Sequence, residues 1–175
     1  MIDARRLGVV RRTLSAPVSA AQAIGGQALG RFAIAGFQGA YIMVATMVLF
    51  GVNWGSLWLA LVVLATFSAV AAGAAMLTGS LLDNASAASS AGFGLGLVLA
   101  ALGGCMLPLE LFPDTLQTVA KVTPHAWAYE ALGEVQRHDA GITDIVQQLA
   151  VLVAMAVGLL ALGTWALRRS MTRAL

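Results

Sequence analysis

The chain has 175 residues, 59% hydrophobic and 10% charged, with a formal net charge of +2 and a mean hydropathy of +0.86. Soluble domains carry about 25% charged residues, whereas here no Asp, Glu, Lys or Arg occurs from Phe32 to Leu82, from Asn84 to Leu109 or from Ile145 to Leu167. Such a distribution argues against a soluble globular domain, and the single cysteine, Cys105, rules out a disulfide within one chain.

A bilayer core of about 30 Å is crossed by roughly 20 apolar residues in a helix. The first uncharged run is long enough for two crossings and the other two for one each. In lipid every backbone N–H and C=O must be satisfied internally, by helices or by a closed barrel. Barrel strands alternate polar and apolar residues, and these runs do not. The expected fold is an all-α membrane protein with about four transmembrane helices.

In chain order, residues 1–30 are basic and moderately polar. Leu7, Val10 and Leu14 share a helical face away from most of the arginines, which fits an amphipathic helix on a membrane surface or against a partner, or else a solvated basic arm. Arg5, Arg6, Arg11 and Arg12 interrupt any signal-peptide core. Pro17 and Ser19 break and restart the chain. A first span is expected at 32–51, followed by a tight turn at Asn53-Trp54-Gly55 with an interfacial tryptophan. A second is expected at 56–82, a polar loop at 83–90, and a third span at 91–107. A long connection, 108–144, precedes the fourth span at 145–167, and a short tail, 168–175, closes the chain.

An even number of spans puts both termini on one side. That side holds Arg5, Arg6, Arg11, Arg12, Arg31, Arg168, Arg169 and Arg173, while the other holds Lys121 and Arg137. The positive-inside rule then makes the termini cytoplasmic and the connection 108–144 external. The Asn84-Ala85-Ser86 sequon falls on the cytoplasmic side of this arrangement and reads as chance.

No residue pattern marks a catalytic centre. The one lysine, Lys121, is followed by Val122, so the chain has no phosphate-binding loop of the Gly-x-x-x-x-Gly-Lys-Ser/Thr kind. Ser68 and Ser80 have no histidine in any span to serve as a base. His125 and His138 lie in the connection with only scattered acids nearby, which is no metal constellation. Ion-coupled carriers keep charged relay groups inside the bundle, whereas these spans hold only neutral polar residues such as Gln38, Thr46, Thr66 and Ser68. Gln38 has two readings, a hydrogen bond between helices or a polar contact on a pathway. Gly36 with Ala40 and Gly92 with Gly96 offer close helix approach.

The segment 102–127, LGGCMLPLELFPDTLQTVAKVTPHAW, is the most specific stretch. Gly103-Gly104 loosens the end of the third span and Pro108 stops it. Leu109, Leu111 and Phe112 are too apolar for a watery loop. Pro113-Asp114 starts a short helix whose face is Leu116, Val119 and Ala120, and Thr123-Pro124 ends it. Trp127 and Tyr129 supply interfacial aromatics. The expectation is a re-entrant or interfacial helical hairpin against protein or a water-filled cavity, with an amphipathic loop on lipid as the plainer alternative.

Residues 102–132 resemble the signature region of the ABC type 2 transporter permeases, the drug and carbohydrate exporter group. Gly103, Gly104, Pro108, Pro113, Pro124 and Trp127 carry the match. RRTLSAPVSAAQAIGGQALGRF (11–32) is similar to that family's cytoplasmic stretch before its third span, and FGVNWGS (50–56) to the outer turn after it. The family's permeases have six spans, and this chain matches the last four. The resemblance implies two permease subunits or halves around a pathway, driven by a cytoplasmic ABC ATPase that binds ATP and Mg, with no cofactor on this chain. It implies coupling through roughly Arg5 to Ser19, with Arg11, Arg12, Pro17 and Ser19 as the candidate residues, and an external lid formed by the hairpin. The partners expected are that ATPase, a second permease and the bilayer, and no nucleic acid. Drug-like, lipid-like and polysaccharide-type cargoes are all open. So is a second reading, a membrane assembly or anchoring protein, or an inactive permease fragment, that transports nothing.

Overall fold

The computed structural model describes residues 19–82, 84–137 and 140–172. Four long helices are apolar enough to cross a membrane: α1 (Ala20–Phe50), α2 (Leu57–Leu81), α3 (Ala85–Leu102) and, after two shorter helices, α6 (Val146–Thr172). The shorter pair are α4 (Asp114–Ala120) and α5 (Pro124–Arg137). Two 3₁₀ turns, Leu109–Leu111 and Ile142–Ile145, join them to the spans. The chain is a multi-pass, all-helical membrane protein.

Three span boundaries differ most from the sequence expectation. The first helix begins at Ala20 and not at residue 32. Ser19 accepts a hydrogen bond from the Gln22 N–H at 3.2 Å, and the Gln22 side chain accepts from the Ser19 N–H at 2.9 Å. This capping box starts the helix directly after Pro17, and nothing between Gln22 and Phe32 breaks it. The third helix begins at Ala85, so the supposed polar loop at 85–90 is its first turns. Asn84 accepts from the Ser86 N–H at 2.9 Å, which uses the sequon's own asparagine as a helix cap. Alanine, the strongest helix former, then recurs at Ala85, Ala87, Ala88 and Ala91. The same helix stops at Leu102. Gly104 has φ +87°, so the glycine pair ends the helix and Pro108 comes too late to do so.

The turn at 51–56 matches expectation. Gly51, at φ +66°, closes α1 while the Val52 N–H reaches the Thr46 carbonyl at 3.3 Å. The Gly55 N–H then bonds the Asn53 side chain, and the Trp54 indole donates to the Thr46 hydroxyl at 3.2 Å.

The helices alternate in direction, so α2 and α6 run parallel and pack most extensively against one another. Gly73 and Gly163 permit this. A Cβ on Gly73 would lie 2.8 Å from Leu159 Cβ and the Leu160 nitrogen, and one on Gly163 would lie 2.9 Å from Met76 Cβ. Gly36 and Gly39 bring α1 onto α2 beside Ser68 and Leu64. By contrast, a Cβ on Gly92 or Gly96 would meet nothing within 4 Å, so that pair mediates no packing among the described residues.

The main core joins Met43 of α1, Val63 and Val70 of α2, Ala131 and Val135 of α5, and Leu152 and Ala156 of α6. A second cluster unites Ile24, Met76 and Leu167. It puts the start of α1 and the end of α6 at the same end of the bundle. Elsewhere the surface is apolar: Phe37, Val48 and Phe93 are 74%, 77% and 73% exposed, and α3 buries no residue. Such a surface suits acyl chains and not water.

Candidate functional site

The connection after α3 folds into a small domain with its own core. Leu109, Ala120 and Ala126 are buried together, with Phe112 and Tyr129 packed on them. Each matched residue has a local reason for its place. Gly103 lies against Thr123, His125 and Ala126, and a side chain there would collide with all three. Gly104 takes its positive φ against Leu109. Pro108 leads into the first 3₁₀ turn and Pro113 immediately precedes α4.

Thr123-Pro124 does more than end the short helix, as the sequence suggested. It also starts a helix, with proline in the first helical position. The Thr123 hydroxyl accepts from the Ala126 N–H at 3.3 Å and donates to the Ala120 carbonyl at 2.8 Å. It therefore ends α4 and begins α5 at once, and α5 is an element that sequence reading missed. Its signature was present in the Thr-Pro pair and in Ala131 and Val135, spaced four apart on its buried face. Trp127 locks the corner. Its indole donates to the Lys121 carbonyl at 2.8 Å, and the Lys121 ammonium sits 4.5 Å above its ring while pairing with Glu130.

Depth along α2 places this domain. A Cβ on Gly55, at the head of α2, would collide with the Val135 carbonyl near the end of α5. The His125 ring, at the start of α5, meets Phe67 edge to face with centroids 5.0 Å apart. Phe67 lies ten residues beyond Leu57, about 15 Å down the helix at 1.5 Å per residue. So α5 begins level with the interior of α2, beside the end of α3, and climbs to the level of the α1–α2 turn.

Between α1, α2 and α5 this leaves a cavity of about 610 Å³. Gly39, Ile42, Met43, Val63, Leu64 and Phe67 form its apolar side, while Cys105, His125, Tyr129, Gln136 and Arg137 supply polar groups. At its rim Glu110 ties the 3₁₀ turn to α5, accepting from Tyr129 at 3.1 Å and from Arg137 at 3.3 Å. Hydrogen bonds from its own backbone N–H and from Tyr129 hold the Glu110 carboxyl below the usual carboxylate range. Burial, reinforced by the bond to Glu110, raises the Tyr129 phenol. Burial lowers the His125 imidazole, whose Nδ1 is enclosed with no hydrogen-bond partner among the described residues.

The other sequence candidates lie elsewhere. Gln38 is exposed on α1 and does not line the cavity. Ser19 caps α1 at the far end of the bundle. Arg11, Arg12 and Pro17 fall outside the described residues.

The sequence profile of the ABC-2 family transporter proteins matches residues 1–165. The linearmycin resistance permease protein LnrN of Bacillus subtilis (strain 168) is 30% identical over 170 residues, covering 96% of this chain. The chain spans 44% of that relative's length. No solved structure matches. A four-span apolar bundle, a folded connection before the last span and a profile match along nearly the whole sequence agree, and the chain belongs to the ABC-2 family of transporter proteins.

Proposed function

We propose that this chain is a membrane-spanning subunit of an ATP-driven exporter. ATP and its Mg ion are bound by a separate cytoplasmic ABC ATPase, and a second permease, identical or homologous, completes the pathway. The observation that carries this reading is the family match over residues 1–165 in a chain without a phosphate-binding loop of its own. In this reading the end of the bundle that carries Arg31 and Arg169 faces the cytoplasm, across the plasma or inner membrane, in line with the positive-inside rule. The connection 103–144 then forms a re-entrant cap on the outer side. The depth of His125 beside Phe67 supports it, because non-helical backbone at that level requires protein or a cavity around it.

The cargo we assign is a drug-like amphipathic compound. The name of the Bacillus subtilis relative, a resistance permease, favours that class over a polysaccharide. The test is purification from membranes together with an ABC ATPase, followed by reconstitution into liposomes. The expected result is cargo-stimulated ATP hydrolysis and ATP-dependent movement of an amphipathic drug. Purification free of any ATPase, with no stimulation on adding the cognate one, would overturn the proposal.

A further inference from the structure

The last turns of α6 carry a groove that ATP-driven export does not explain. Its volume is about 390 Å³, and it is lined by Leu160, Ala161, Thr164, Trp165 and Arg168. Residues 161, 164, 165 and 168 fall on one helical face, and Ala161, Trp165 and Arg168 are exposed. The groove is graded along its length. Leu160 and Ala161 form an apolar foot, and the Thr164 hydroxyl and the Arg168 guanidinium form a polar head one to two turns further on.

The head lies where the apolar core of the bundle ends. The uncharged run of α6 stops at Leu167, and that of α1 starts just after Arg31. Gly73 lies against Leu159 and Leu160, and Gly163 against Met76 and Leu77, so the parallel helices bring Gly79 level with Trp165 and Ala166. The Arg31 guanidinium sits at that level, against Gly79, and donates to the Ala75 carbonyl at 2.7 Å. Arg169 covers the Trp165 ring at 5.5 Å. Arginines from two helices and an interfacial tryptophan thus mark one headgroup plane. In sequence, the arginines of this end outnumber its acids, Asp3 and Asp83.

Thr164 adds a donor without an acceptor. Every serine and threonine of α1 and α2 returns its hydroxyl proton to a carbonyl of the preceding turn: Thr46, Thr66, Ser68, Thr78 and Ser80. Thr164 makes no such bond among the described residues and lines the groove instead. A hydroxyl facing hydrocarbon without a partner is costly. A phosphate satisfies it and meets Arg168, one turn on, at the same time. A guanidinium has five donors, so Arg168 can hold a phosphate beside the other contact it makes. A zwitterionic headgroup would bring its ammonium against Arg168 and Arg169, whereas an anionic one brings no cation.

We infer that this groove binds an anionic glycerophospholipid of the leaflet at the arginine-rich end. Its phosphate lies between Thr164 and Arg168, and an acyl chain runs along Ala161 and Leu160. Only the naming of that leaflet as cytoplasmic rests on the orientation proposed above. Binding needs neither ATPase nor second permease, so it stands or falls separately from the export reading.

The full chain, purified in detergent and delipidated, is titrated with phosphatidylglycerol or phosphatidylcholine, and adducts are read by native mass spectrometry. Phosphatidylglycerol should be retained saturably, at least about fivefold more tightly than phosphatidylcholine, and excess glycerol 3-phosphate should not displace it. Arg168→Gln should weaken retention about fivefold and Thr164→Val about threefold. Arg173→Gln, which removes an equal charge five residues later, should leave it unchanged. Ala161→Phe fills the apolar foot with every charge in place. It should also weaken retention, and it covers the case in which Arg168→Gln does not fold. Equal retention of phosphatidylcholine would overturn the site, as would a loss in Arg173→Gln as large as in Arg168→Gln, or retention undiminished in Ala161→Phe. Displacement by glycerol 3-phosphate would make it a site for soluble phosphates, and a dimer that retains no lipid would give the face to a second copy; either result overturns the proposal.

Discussion

His125 is a group whose charge state the fold controls. Burial lowers its pKa, so the unfolded chain binds a proton that the folded chain resists. Stability is therefore complete above the unfolded value of about 6.5 and declines as pH falls from there toward the folded pKa. The facing groups with shifted pKa values are silent in that window: Cys105 and Tyr129 stay neutral, and Glu110 titrates only at lower pH. Melting in detergent should show a loss between pH 7.5 and 5.5 that is smaller in His125→Leu, and equal losses would refute the assignment. Thr123 is the second decisive side chain, 2% exposed and bonded to both flanking helices. Thr123→Val should cost about 1–3 kcal/mol and Thr123→Ser should restore most of it, as read by thermal unfolding. Both residues stood in plain view in the sequence. What hid their roles was the ambiguity of Thr-Pro, which punctuates helices at either end.

At the scale of elements, the four spans were legible because charge-free length is a direct consequence of the bilayer. Their ends were less so. Residues 85–90 read as a polar loop because alanine and serine are weakly hydrophobic, yet the same alanines favour helix and Asn84 caps it. Glycine spacing was also uninformative alone: Gly92 and Gly96 look like a packing pair, but the close backbone approach occurs at Gly73 and Gly163, on helices far apart in sequence. Gly73→Val should therefore push α2 from α6 and destabilise the bundle by about 1–3 kcal/mol or more, whereas Gly92→Ala should leave melting unchanged or slightly raised. A neutral Gly73→Val would mean that the two helices do not touch as described.

For the whole molecule, the family and the four-span organisation were readable from motif and charge. The cavity was not, because its walls come from residues 39–67 and 105–137, and no local pattern announces their meeting. The proposed coupling segment gives a prediction at this scale. Reversing both Arg11 and Arg12 to Glu should abolish ATP-dependent export by the reconstituted complex while leaving the melting of the spans intact. Normal export by that double variant would remove the segment from the coupling path.

The parallel α2–α6 contact has a consequence for how the protein is made. Gly73 enters the bilayer long before its neighbours Leu159 and Gly163 have been synthesised. Until then α2 must wait among lipids with a notch cut for a partner that does not yet exist. The α2–α6 contact thus waits for α6, and quality control has a natural checkpoint there. A chain stopped at residue 145 should still insert α1, α2 and α3 yet be degraded, and pulse-chase labelling should show it vanishing well before the chain that includes α6 does. The most extensive helix contact of the bundle thereby forms only after α6 has been made.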